Sequence, residues 1–284
     1  MATLREIRKR IKSAKNIQQI TKAMKMVAAA KLKKAQERIL AARPYADKIR
    51  EVISELIPKA DPKSYPILAE NKGVTKEAIV LVTSDKGLCG SYNTNLVKEV
   101  LKRLKENPDI SLFFIGKKGM DALKKFGKEM PVFKYNDKNI NWNDIEYITG
   151  QMIQDFKAGK YRKVDLIYSE FQTSLAQKIA VRQLLPVKFE VDEAKIERKE
   201  FIYEPAEEQV LADLLIRYVK TQLYRAIFES QAAEHGVRMV SMEMATNNAG
   251  DMIRALTLVA NKTRQASITK EILEIVGGAE AIKG

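Results

Sequence analysis

Few residues in this 284-residue chain have nucleophilic, metal-binding or phosphate-binding potential. Cys89 is its one cysteine and His235 its one histidine. A single thiol cannot close an intrachain disulfide or build a multi-cysteine zinc site, and one imidazole leaves little for a histidine-based triad. Cys89 stands in the segment Ser84-Asp85-Lys86-Gly87-Leu88-Cys89-Gly90-Ser91-Tyr92-Asn93, after a strand-like run and ahead of a helix-like one. Phosphate loops occupy that place in nucleotide-binding α/β folds. Yet the segment is neither GxxxxGK[ST] nor GxGxxG, and neither pattern occurs elsewhere in the chain. Its two glycines read as a tight connection, and Cys89 as a structural thiol. His235, in the C-terminal helical region and away from the strand-rich middle, reads as a seam or surface residue. No carboxylate pair and no HExxH spacing stands out. The residues predict no catalytic, cofactor-binding or metal-binding site.

The charge is more informative. The net charge of +14 is concentrated at the start: residues 1–60 hold 16 basic and 5 acidic side chains, whereas residues 206–284 hold 9 and 10. Within the first 36 residues there are 11 basic groups and one acid, Glu6. Such a block meets nucleic acid, anionic lipid or an acidic protein surface, or is simply a solvated helix face. It also imitates a mitochondrial presequence, but its pattern continues to about Leu56, so it reads as mature structure and favours a bacterial cytoplasmic origin. No apolar run approaches the ~18–20 residues that cross a bilayer.

Two long helical patterns bracket a middle of different character. Leu4, Ile7, Ile11 and Ala14, then Ala28, Leu32, Ala35, Ile39, Ala42, Ala46, Ile49, Ile53 and Leu56, follow a 3–4 spacing. Between these groups the strict seam meets Gln18, Thr21 and Lys25, while apolar residues fall one place earlier, at Ile17, Ile20, Met24 and Val27. The expectation is a coiled-coil helix whose seam drifts locally, with Pro44 as a point of possible kinking. At 1.5 Å per residue, residues 3–57 would extend roughly 80 Å. From Ala206 to Gly284 there is no proline, and Val219, Leu223, Ala226, Ala233, Val237, Val240 and Met244 repeat the spacing. After a polar interruption at residues 246–251, apolar residues from Met252 to Val276 cover more than one helix face. Such a helix must be surrounded, and one partner helix covers only one side, so either a molecule outside this chain or an intrachain helical bundle covers the rest.

Pro58, Pro62 and Pro66 end the first helix. Residues 78–83, 111–115 and 164–169 read as buried strands, and residues 93–106, 117–126 and 143–156 as the helices between them, with further strand near 178–187. The predicted fold class is α/β: an antiparallel two-helix coiled coil plus an open, mostly parallel, Rossmann-like head. Its expected domains are residues 1–58, 74–205 and 206–284, arranged as a stalk with a head.

Three blocks carry a family resemblance: LREIRKRIKSAKNIQQITKAMKMVAAAKLKKAQ at residues 4–36, SDKGLCGSYN at residues 84–93, and EHGVRMVSMEMATNNAGDMIRALTLVANKTRQASITKEILEIVGGAEAI at residues 234–282. In order and spacing they resemble the gamma subunit of bacterial F-type ATP synthases. The resemblance implies a noncatalytic central rotor shaft inserted in a ring of three alpha and three beta subunits. Its head, with the epsilon subunit, would rest on the c ring of the membrane sector. ATP, ADP and Mg2+ would bind on alpha and beta, and the chain itself would need no cofactor. It would lie peripherally on the cytoplasmic side of the bacterial cell membrane. Residue by residue, the resemblance implies that Met24 and Lys25 lie near acidic levers of beta, that Arg264, Gln265 and Thr269 contact beta loops, and that Ile272, Ile275 and Val276 seat the tip in its bearing. Met244 and Thr263 depart from the family pattern. The single cysteine excludes the dithiol switch of plant chloroplast relatives. The rival reading, a basic coiled-coil nucleic-acid-binding protein, predicts steeply salt-dependent binding; the basic stretch lacks aromatics and the C-terminal helix is slightly acidic, which argue against it.

Overall fold

A computed structural model of the chain describes residues 3–61, 64–126, 132–133, 142–173, 177–189, 204 and 206–283. Helix α1 (Leu4–Leu56) opens on a reciprocal cap: the Thr3 backbone N–H donates to Glu6 Oε2 at 3.0 Å, and the Glu6 N–H donates to Thr3 Oγ1 at 3.3 Å. This satisfies two of the donors that a helix start leaves open. Helix α1 runs through the exposed Pro44 without a break in its assignment, then gives way to a 3-10 turn at Ile57–Lys59, where Pro58 cannot continue the backbone ladder. Pro66 lies in the turn that follows; Pro62, expected to take part, is outside the described residues.

The middle alternates as expected: β1 (Glu77–Val82), α2 (Tyr92–Glu106), β2 (Ile110–Ile115), α3 (Lys117–Leu123), β3 (Val132–Phe133), α4 (Trp142–Lys157), β4 (Lys163–Phe171) and β5 (Gln177–Leu185). The strands form one sheet in the order β3-β2-β1-β4-β5, parallel except for the antiparallel edge pair β4–β5. Strand β2 is buried at every residue and β1 at all but its first, the signature of parallel strands covered on both faces. Alternate side chains serve two separate cores. Val80, Val82, Phe113 and Leu166 pack with Met152 and Phe156 of α4, and with Ile49, Ile53 and Leu56 of α1. Ile79, Leu81, Leu112 and Phe114 pack with Tyr92, Leu96 and Val100 of α2.

Helix α5 (Glu207–Lys283) is continuous, so the polar stretch at 246–251 interrupts the hydrophobic pattern but not the helix. Its first part serves the head: Leu211, Leu215, Val219 and Leu223 join the first core. The chain divides into two compact units, residues 29–238 and residues 1–28 with 239–284. In both units α1 and α5 pack antiparallel: residues 18, 21 and 25 meet 250, 246 and 243 in one, and Leu32, Ala35 and Arg38 meet Ala232 and Phe228 in the other.

Candidate functional site

In the unit formed by residues 1–28 and 239–284, α1 buries Ile7, Ala14, Thr21 and Ala28, one residue in seven, and α5 buries Met242, Ala249 and Ala260. The strict heptad therefore holds along this stretch of α1. Of the local seam drift predicted at Ile17, Ile20, Met24 and Val27, only Met24 is half-buried; the other three are exposed. The polar residues at the seam explain why. The hydroxyls of Thr21 and Thr246 stand 2.8 Å apart, Lys25 Nζ pairs with Glu243 Oε1 at 2.6 Å, and a Cβ at Gly250 would lie 3.0 Å from Gln18 Nε2. Polar partners across a seam fix register, and rotating α1 to bury the isoleucines would strand these groups. Gln18, Lys25, Glu243 and Thr246 line a groove of about 360 Å³ with Gln19, Lys22 and Asn247. Met244, expected on the seam, is likewise exposed.

The outer surface of this helix pair carries two kinds of unpartnered chemistry. Arg5, Arg8, Lys9, Arg10, Lys12, Lys15 and Lys22 are exposed along α1, beside Ile17, Ile20, Met26 and Val27. On α5, every described side chain from Arg264 to Ala279 is exposed, including Ile268, Ile272, Leu273, Ile275 and Val276. Exposed apolar side chains in such a run mark a surface that another molecule covers.

The predicted contact residues fall in two places. Met24 and Lys25 are half-buried, and Lys25 is tied to Glu243. Arg264, Gln265 and Thr269 occupy the bare part of α5, where the Thr269 hydroxyl donates to the Gln265 carbonyl at 2.9 Å; Ile272, Ile275 and Val276 follow one turn later. The first set thus lies on α1, with Lys25 facing Glu243, and the second on the bare part of α5. Sequence reasoning missed Thr21, Glu243 and Thr246 as register-setting partners, although polar residues at heptad positions were their visible signal.

The glycine-containing segment 84–93 lies at the carboxyl end of β1, between β2 and β4, where doubly wound folds bind nucleotides. Here its polar groups are turned on one another. Asn93 Nδ2 donates to Ser84 Oγ at 2.8 Å, the Ser84 N–H donates to Asn93 Oδ1 at 3.1 Å, and Asp85 Oδ1 accepts from the Lys117 N–H at 2.9 Å. Thr83 holds the start of α3, accepting from the Gly119 N–H at 2.9 Å; a Cβ at Gly116 would strike the Thr83 carbonyl oxygen at 2.1 Å, so that position requires glycine. Helix α5 closes the loop from the other side, with Arg238 Nη2 donating to the Gly87 carbonyl at 3.1 Å. The expected placement of His235 away from the strand-rich middle is therefore corrected. It is buried in the same unit as this loop, its Nδ1 stands 3.3 Å from Arg238 Nη1, and α5 packs here through Ala233 against Cys89 and Tyr92. Cys89 is buried; burial first, then the negative field of Glu234, push its thiol pKa up. A thiol held protonated is a poor nucleophile, consistent with a packing role. Among the described residues no group of three or more His, Cys, Asp or Glu is arranged to hold a metal ion.

Comparison with known proteins agrees over the full fold. A family model described as ATP synthase matches residues 3–282. The ATP synthase gamma chain of Heliobacterium modesticaldum is 42% identical over 290 residues, covering 99% of this chain and all of that one. That of Geotalea daltonii is 42% identical over 288 residues, with both chains fully covered. Among solved structures, a chain of the central stalk and c-ring of the Tetrahymena thermophila mitochondrial ATP synthase is similar, with a TM-score of 0.61 and 30% identity over 80% of this chain and 99% of that one. A chain from the Euglena gracilis mitochondrial ATP synthase, in a structure of its OSCP, F1 and c-ring, shares the fold with a TM-score of 0.71 at 22% identity, over 98% of this chain and 94% of that one.

Proposed function

The chain belongs to the gamma-chain family of ATP synthases, and from that premise we propose that it is the noncatalytic central rotor shaft of a proton-translocating ATP synthase. The observation that carries this reading is the bare stretch of α5: residues 264–279 bury no side chain, yet present isoleucine, leucine and valine around the helix. A helix apolar on several faces requires a sleeve, and a sleeve in which it turns must grip by shape rather than by a fixed lock. A ring of three alpha and three beta subunits would supply it, and would also hold ATP, ADP and Mg2+. Ile272, Ile275 and Val276 would seat the tip, and Arg264, Gln265 and Thr269 would make polar contacts with beta loops. Met24 and Lys25 would lie near acidic levers of beta. The exposed cations of α1 would attract those levers over a range of angles, because charge–charge attraction fades smoothly with distance and is screened by water.

In working terms, residues 1–58 and 206–284 are the shaft helices, and residues 74–205 are the head that engages the epsilon subunit and the c ring. Proton flow would turn the ring and shaft, and the shaft would drive the beta sites through successive nucleotide affinities; hydrolysis would run the cycle in reverse. Among the described residues no helix is long and apolar enough to cross a membrane, and the proposed location is peripheral, on the cytoplasmic face of a bacterial cell membrane. Mixing the chain with separately purified alpha and beta subunits tests the reading. A stable complex with raised ATP turnover, and none from the chain alone, is expected. No complex, together with salt-sensitive DNA binding, would instead favour the nucleic-acid reading.

A further inference from the structure

Loop 84–90 is fastened to α5 by a stripe of polar side chains that the shaft reading leaves unused. Ser230, Glu234 and Arg238 recur every fourth residue and share one helix face. Tyr92, in the first turn of α2, meets the Ser230 hydroxyl at 2.6 Å. The Arg238 side chain is only 11% exposed, and its partners Glu234, His235, Lys86 and Gly87 lie in the unit of residues 29–238, of which it is the last residue. Its Nη2 pairs with Glu234 Oε1 at 2.5 Å and donates to the carbonyls of Lys86 and Gly87 at 3.4 and 3.1 Å. Immediately after those carbonyls the loop turns through left-handed backbone at Leu88 (φ 62°) and Gly90 (φ 54°).

A leucine rarely adopts that backbone, and such strain persists only where the surroundings over-determine it. Leu88 is 63% exposed, so its own burial does not hold the turn. From within the loop the Ser84 hydroxyl donates to the Lys86 carbonyl at 2.6 Å and the buried Cys89 anchors its far side; Arg238 ties the Lys86 and Gly87 carbonyls to α5. Apolar packing is non-directional and tolerates sliding, whereas a charge-assisted N–H donor sets direction as well as distance; Nη2 serves Glu234 and the two carbonyls while Nη1 meets His235 Nδ1 at 3.3 Å.

We propose that Arg238 is a positioning residue that fixes the angle of loop 84–90 on α5, making the exposed Leu88 turn a rigid projection that rotates in register with the shaft. The proposal rests on the rotor reading. Its test is R238Q in the assembled, membrane-reconstituted ATP synthase. Two quantities are read: amide exchange of residues 86–90, and ATP-driven proton pumping per ATP hydrolysed. Exchange in the loop is expected to rise at least tenfold and the pumping ratio to fall at least threefold. R238K keeps the charge but loses the second nitrogen that meets His235, and is expected to fall between R238Q and the unsubstituted protein on both readouts; if R238Q does not assemble, R238K decides. Unchanged exchange would overturn the clamp, and a loosened loop with an undiminished pumping ratio would overturn its role in transmission. Failure of the unsubstituted chain to support hydrolysis would instead count against the rotor reading, and loop exchange in the free chain would then still decide the clamp.

Discussion

The head and the outer helix pair are both built from aliphatic residues, but one is saturated and the other is not. In the head, Leu112 and Phe114 of β2 are fully buried, as are Val80 and Leu81 of β1, and two cores lie on opposite faces of the sheet. In the unit of residues 1–28 and 239–284, the seam is narrow, made largely of alanine and threonine, while isoleucine and leucine point outward. The head holds together through its own contacts. The helix pair buries little against itself, and its large apolar residues are reserved for something else.

The largest expected contrast sets Leu112→Ala against Ile275→Ala. The first empties a fully buried site and should cost about 2–5 kcal/mol in chemical denaturation. The second changes a side chain 71% exposed and should stay within about 0.5 kcal/mol in the free chain; equal losses would break the comparison. Removing residues 265–284 should leave the denaturation midpoint of the head in place while lowering the coupling of hydrolysis to pumping in the complex. If the truncated chain fails to fold, the bare helix is core after all. Next in size, Ala28→Leu overfills the narrow seam and should cost about 1–3 kcal/mol by thermal melting. Glu243→Gln removes the partner of Lys25 across a half-exposed seam and should cost about 1 kcal/mol or less, diminishing further as salt is raised.

The smallest effect is a slope in the head. Because the Cys89 thiol is held above its ordinary pKa, its contribution is fully present below the unfolded thiol value of about 8.5 and is lost as pH rises toward the folded value. Stability should therefore decline from about pH 8.5 upward, and Cys89→Ala should flatten the first part of that decline. An unchanged slope would place its origin elsewhere.

The head was legible because buried parallel strands are short continuous apolar runs; β1, β2 and β4 each begin within one residue of their predicted start. The heptad of α1 was legible too, but its middle was not. Ile17, Ile20 and Val27 outweigh Thr21 in hydrophobicity, so a pattern reading rotates the helix toward them. The structure does not, because Thr246 and Glu243 on α5 supply partners that a single helix's pattern cannot reveal. The loop at residues 84–93 was located but its neighbour was not. That α5 returns to it with Glu234 and Arg238 is a long-range contact, and spacing within one helix says nothing about which loop it meets. The contact residues at the bare end of α5 came from family resemblance, since their exposure points to a partner without naming one.

A shaft must turn. Lys105, exposed at the end of α2 and outside both cores, can be replaced as Lys105→Cys to carry a bead, while the buried Cys89 remains protected. With the alpha–beta ring of the assembled complex fixed to a surface and ATP supplied, unidirectional stepped rotation of the bead is predicted. A complex that hydrolyses ATP steadily while the bead stays fixed would contradict it.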